Sequence, residues 1–164
     1  MNEQHAVTIG HGLIFEPPAA AFANLGSCLG IAVGWPQRSR FCLAHCLLPE
    51  RREVALGHAE YRYVAETPEL LLRRLKVPQS RYSELRIVLA GGAEMYDGSR
   101  AGVGAKNVSM GLKVFKALGI RVFGRDVNGR AARRIRLDAN TGVVTVTQLD
   151  ADAGHEERSW NLVR

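Results

Sequence analysis

A chain of 164 residues with 46% hydrophobic and 23% charged side chains has the make-up of one soluble globular domain, long enough to bury about two-thirds of its unfolded surface without metals or disulfides. No apolar run approaches the roughly 18 residues of a membrane span, no basic stretch precedes an apolar core at the N-terminus, and three cysteines outside any disulfide-rich spacing fit a reducing cytoplasm. The net charge of +6 comes from 18 Arg against 4 Lys and favours an acidic partner, but no nucleic-acid motif and no basic run beyond Arg133-Arg134-Ile135-Arg136 directs that charge to nucleic acid.

In chain order, residues 6–9 give a short strand signal, Gly10-His11-Gly12 a break with His11 as a turn residue, and residues 13–15 a second strand. Pro17-Pro18 and the alanines after it read as a stiff connection that delivers the chain to Leu25-Gly26-Ser27-Cys28. Cys28 opens the apolar run 29–35, residues 36–39 carry turn chemistry, and residues 40–47 read as a returning strand that brings His45 back toward Cys28. A cysteine beside a base is the minimum for thiol acyl transfer, and a thiol at a turn with free N–H groups is expected to favour thiolate.

The period of two separates the cysteines. His45 shares a face with Phe41 and Leu43, whereas Cys42 and Cys46 share the other with Ala44. The Cys28 face continues as Gly30, Ala32 and Gly34, small enough to leave room for an approaching group. A zinc site from Cys28, Cys42, His45 and Cys46 is the chemical rival, but it lacks a C-x-x-C pair and alternation divides its members, so neither metal nor organic cofactor is expected. Asn24 and Ser27 are the nearest polar side chains to Cys28, either turn formers or donors that orient the site or stabilise an oxyanion.

Beyond a charged loop at 49–53 and an exposed His58, helical character runs over 59–76 with a break at Thr67, where Thr67-Pro68 reads as a helix start. Residues 85–90 form a central-strand run ending in Gly91-Gly92. The glycine-rich segment 91–106 lacks the order of a phosphate loop and reads as a wall of the site whose glycines permit close backbone approach. Asn107 is expected to cap a helix over 108–118 with Val108, Leu112, Phe115 and Leu118 as its core stripe. Residues 120–126, 132–137 and 143–149 read as three successive antiparallel strands, and 151–164 as a loosely attached polar tail anchored by Trp160 after a single domain over 1–150. The fold class is α+β, with mixed, largely antiparallel sheets packed on two main helices.

The ordered set Leu25-Gly26-Ser27-Cys28, His45-x-x-Leu48-Pro49, Gly-Gly-Ala-Glu-Met-Tyr at 91–96, Val-Gly-Ala-Lys-Asn at 103–107 and Asp126-x-x-Gly129-x-x-x-Arg133 resembles the chemoreceptor glutamine deamidase CheD family of bacterial chemotaxis, over roughly residues 6–149. The resemblance implies a thiol-hydrolase fold related to bacterial toxin deamidases, Cys28 as nucleophile, His45 as its partner, chemoreceptor cytoplasmic domains as substrates and a cytoplasmic location without membrane insertion. It leaves a second reading open, a catalytically weak adaptor that binds chemoreceptors or a chemotaxis phosphatase. The family's Thr five or six residues before the Cys is replaced by Ala23 and Phe22, so the orienting role is unassigned, and Phe41 and Cys42 stand at two family glycines, where the ring is expected to narrow the site.

Overall fold

The computed structural model describes residues 3–52, 59–95, 98, 101–149 and 156–164; His58 and His155 lie outside them. The elements are β1 (Gln4–Ala6), β2 (Gly12–Phe15), β3 (Ala20–Leu25), β4 (Leu29–Trp35), β5 (Arg40–Cys46), α1 (Thr67–Leu75), β6 (Arg86–Gly91), α2 (Val103–Ala117), β7 (Val122–Val127), β8 (Arg133–Asp138), β9 (Val143–Gln148) and β10 (Glu157–Asn161). One sheet has the order β1-β3-β8-β9-β10, the other β2-β5-β4-β6-β7, and both mix parallel and antiparallel pairs. The α+β class expected from the sequence is the class observed.

Three layers follow from where the apolar side chains go. Leu29, Ile31, Val33, Trp35, Cys42 and Ala44 pack with Leu71, Leu75, Val108 and Phe115 of the helices. Ala32, Leu43, Val88 and Ala90 pack on the other side with Ala21, Ala23, Leu25, Ile135 and Val146 of the first sheet. The second sheet is therefore the middle layer, which is why β4 is buried at every position and reads as an unbroken apolar run.

Several expectations change. β3 lies where a connection was expected: alanines are poor strand formers in isolation, but its inner face must be small to sit on the middle sheet, and pairing with β1 and β8 supplies its hydrogen bonds. β7 runs parallel to β6 in the middle sheet instead of pairing with β8, because α2 makes a β6-α2-β7 crossover. Asn128 and Gly129 still turn in the left-handed region (φ 68° and 69°), but they carry the chain from one sheet to the other. No helix occupies 59–66, whose backbone groups bond instead to Gly10, Leu47, Leu48 and Pro49; α1 starts at Thr67, whose hydroxyl donates to the Tyr63 carbonyl at 2.9 Å. The C-terminal segment is not a loose tail over its described part, since β10 pairs with β9 along five residues and Trp160 packs on Gly124. The small face at Gly30 and Gly34 is no opening either: Leu25, Ile135 and Leu162 fill it.

The Asp126…Arg133 motif pair joins β7 to β8, and so one sheet to the other. Arg133 Nε donates to Asp126 Oδ1 at 3.1 Å, with both side chains 5% exposed or less. Arg133→Met should lower stability in urea by about 3–5 kcal/mol, because it strands a buried carboxylate, whereas Asp126→Leu combined with Arg133→Met should lose much less.

Candidate active site

Cys28 sits in the turn between β3 and β4, and the glycine-rich wall holds that turn. Gly92 N–H donates to the Cys28 carbonyl (2.9 Å) and Ala93 N–H to that of Gly26 (3.0 Å). A Cβ on Gly91 (φ 101°) would run into the Cys28 carbonyl, and one on Gly104 into the carbonyls of Gly92 and Ala93, so the close approach expected of these glycines is made. Asn107, fully buried, does not cap α2; that helix starts four residues earlier at Val103, with Gly102 N–H bonded to the Glu94 carboxylate. Its Nδ2 donates to the Ser27 carbonyl (2.9 Å) and the Leu47 carbonyl (3.1 Å). The β4–β5 ladder ends at the pair Leu29–Cys46, so this amide spans the two arms where the ladder no longer joins them.

His45 lies opposite Gly30 in that ladder and faces the first sheet. After Ala6 the chain leaves β3, with Val7 N–H bonded to the Phe22 carbonyl (2.8 Å), and crosses to the middle sheet, where Gly10 N–H meets the His45 carbonyl (2.7 Å). The crossing roofs the imidazole. His45 Nδ1 lies 2.9 Å from the Val7 carbonyl, which can only accept, so Nδ1 carries the proton and Nε2 the lone pair. Nε2 is buried and without a hydrogen-bond partner, a rare condition for a buried polar atom and one suited to a base. The His45 residue is among those lining a cavity of about 460 Å³, with Ala6, Val7, Thr8, Ile9, Phe22, Ala23 and Asn24.

Cys28 precedes Gly30 by two residues, in the turn just beyond the ladder, and packs in the core between the two sheets with Ala32 and Leu43, on the side His45 faces; no hydrogen bond joins Sγ to Nε2. The thiol is 6% exposed; burial pushes it up to about 11, opposed only by its own backbone N–H. Burial also holds His45 below its ordinary 6.5, opposed by the Val7 carbonyl. The resting pair is thus thiol and neutral imidazole, not the thiolate expected from a turn, because desolvation outweighs the single N–H. Cys42 and Cys46 lie on the helix side with Ala44 as alternation required; burial pushes Cys46 up to about 12, opposed by its 3.3 Å bond to the Thr67 hydroxyl. That separation divides the four residues of the zinc alternative between two faces.

Asn24 and Ser27 take different places. Asn24 lines the cavity, but its Oδ1 accepts from Arg134 Nε at 2.8 Å, and Ser27 is buried with its carbonyl held by Asn107. Neither has a hydrogen bond to His45; the Val7 carbonyl fills that role. Phe41 does not narrow the site, since it pairs with Gly34 at the far end of β5 and packs on Phe15 with ring centroids 6.3 Å apart. Sequence reasoning missed Val7, because a main-chain acceptor leaves no side-chain signal, and misplaced Asn107, whose burial within the Val-Gly-Ala-Lys-Asn motif was its only mark. His11 is the turn residue expected, bonded locally to Thr8 and Ile9.

The family model described as CheD chemotactic sensory transduction matches residues 47–148, beginning just past His45. The chain belongs to the CheD family. It is 33% identical to the probable chemoreceptor glutamine deamidase CheD of Bdellovibrio bacteriovorus over 92% of this chain and 97% of that protein, which leaves too little outside to miss Cys28 or His45. It is 32% identical to the probable chemoreceptor glutamine deamidase CheD 2 of Ruegeria sp. over 91% and 93%, and 26% identical to the chemoreceptor glutamine deamidase CheD of Thermotoga maritima over 87% and 90%. Among the described residues of this CheD chain, no helix is long and apolar enough to cross a membrane, and no group of three His, Cys, Asp or Glu could hold a metal ion.

The neutral pair fixes the sign of two pH effects. The folded state resists protonating His45, so its contribution to stability is present above pH 6.5 and is lost as pH falls; it resists ionising Cys28, so that contribution is present below 9.0 and is lost as pH rises toward 11. Thermal melts should show a plateau between these limits, and His45→Gln should flatten the fall just below 6.5. Iodoacetamide should label Cys28 slowly at pH 7, about tenfold faster per pH unit above it, and ahead of the fully buried Cys42 and Cys46 as followed by mass spectrometry.

Proposed function

We propose that this CheD protein hydrolyses glutamine side-chain amides of chemoreceptor cytoplasmic domains to glutamate with release of ammonia, working in the cytoplasm through Cys28 and His45. The observation that carries the proposal is the buried Nε2 of His45, without a hydrogen-bond partner in the protein and with its tautomer set by Val7, on the side of the middle sheet where Cys28 alone of the three cysteines packs. Family membership supports the substrate class through the relatives' names.

With both groups neutral, general-base attack replaces attack by a preformed ion pair. As Sγ turns toward Nε2 and bonds to the amide carbonyl carbon, His45 takes the thiol proton, and the Val7 carbonyl stabilises the resulting imidazolium through Nδ1–H. Such contacts are commonly loose before substrate binds. The developing oxyanion is assigned to N–H groups of the turn around Ser27 and Cys28. His45 returns the proton to the leaving nitrogen, ammonia departs, and a thioester remains on Cys28. Water then attacks with His45 again as base, giving glutamate and the free thiol.

The second reading, an adaptor for chemoreceptors or a chemotaxis phosphatase, draws support from the unbonded, neutral state of the pair. Co-expression with a receptor cytoplasmic domain should give a one-unit mass increase at glutamines, abolished by Cys28→Ala and by His45→Ala, with the double variant little worse than either. In the general-base scheme kcat/KM should fall only below pH 6.5 on the acid side and show no rise from thiol ionisation between 7 and 9. Receptor binding without ammonia would leave the adaptor.

A further inference from the structure

Outside the proposed catalytic pair, the outer face of the first sheet carries an arginine held by two residues that line the cavity. Arg134 on β8 lies in register with Asn24 on β3, and its side chain is exposed. Its Nε–H is bonded to Asn24 Oδ1 (2.8 Å) and its guanidinium carbon stands 5.3 Å from the centroid of the Phe22 ring. Asn24 and Phe22 both line the cavity that contains His45. The cation is thus fixed by one hydrogen bond and one ring face, one strand away from the cavity.

Its charge has no carboxylate partner among the described residues. Other arginines of the same sheet do: Arg133 pairs with Asp126, Arg136 with Asp138 and Arg158 with Glu156. Glu157, on Arg134's face, stands two strands away and receives the Thr147 hydroxyl. With Nε and the ring face occupied, both Nη groups remain, and a planar fork already held in place gives up little entropy when it takes a carboxylate.

We infer that Arg134 determines substrate choice by binding a glutamate or aspartate side chain carried by the receptor segment beside the target glutamine. The inference rests on the deamidase reading above. A glutamine that approaches His45 through this cavity leaves its flanking residues beside Asn24 and Phe22, the two residues that hold the guanidinium. Carboxylate capture there stabilises the complex before chemistry and leaves the reacting atoms untouched, so it acts on KM and not on kcat. Asn24 and Phe22 then hold the specificity residue; they take no part in proton transfer.

The test uses three helical receptor fragments, identical except that Glu, Ala or Lys stands next to the target glutamine. Wild type should deamidate the Glu fragment with kcat/KM about tenfold higher, through KM, as expected for one charge-assisted contact at a partly exposed site. Arg134→Met, which keeps a side chain able to cover Phe22, should bring the Glu fragment down to the Ala value with kcat retained. Arg134→Glu should reverse the preference toward a Lys-bearing fragment. Binding constants for the same fragments, measured by calorimetry, should follow the same order. Active wild type with no preference, or a preference that survives Arg134→Met, overturns the inference alone. Absence of ammonia from every fragment overturns the deamidase reading, and the calorimetric order then decides the fate of Arg134 separately.

Discussion

The arrangement depends on one buried amide. Beyond the pair Leu29–Cys46 the two central strands part, one toward the Cys28 turn and the other toward Leu47, and Asn107 Nδ2 holds the carbonyls of Ser27 and Leu47 at a common distance from α2. Two such bonds contribute about 1 kcal/mol each, while the same side chain keeps a buried Oδ1 with no partner, which works against stability. The glycines complete the clamp: Gly92 and Gly104 bring the loop after β6 and the start of α2 into backbone contact, and Gly91 brings the loop against Cys28. The motifs distant from Cys28 in sequence therefore act by placing it.

What is placed is a pair kept neutral by burial. A preformed thiolate and imidazolium would need water or several dipoles around them, and this corner offers Cys28 one N–H and His45 one carbonyl. In the proposed mechanism, keeping both groups uncharged leaves His45 available as a base at neutral pH and Cys28 unreactive until a substrate carbonyl and a proton acceptor are both in reach. The same burial shields Cys28 from oxidants, since the thiolate is the form that oxidants attack.

How much of this is legible in the sequence varies with the kind of signal. The β4–β5 hairpin, the division of Cys28 and His45 from Cys42 and Cys46, the Thr67-Pro68 start of α1 and the core stripe of α2 follow from alternation, turn chemistry and helical period, which are local. β3 and β10 do not, because Ala20–Leu25 and Glu157–Asn161 become strands through partners distant in sequence. The parallel pairing of β7 with β6 is set by the crossover through α2, and Asn128-Gly129 looks like a hairpin turn in either topology. At the site, Cys28 and His45 are proposed as a pair from residue type and spacing. The Val7 carbonyl and the unmet state of Nε2 are not legible there, since they depend on where the backbone crosses between sheets.

The missing threonine has a physical counterpart in that crossing. A hydroxyl that orients an imidazole must itself be held, whereas a main-chain carbonyl fixed by a strand edge is available whatever side chain stands at 22 or 23. Val7 is such a group: its N–H still pairs with Phe22, and its carbonyl has turned from the ladder to His45. Position 22 is then free of the orienting task, and Phe22 offers its ring to Arg134 while Ala23 points into the space between the sheets, where a larger side chain would push them apart. Orientation by backbone and recognition by side chain can coexist at one sheet edge because successive residues of β3 face opposite ways.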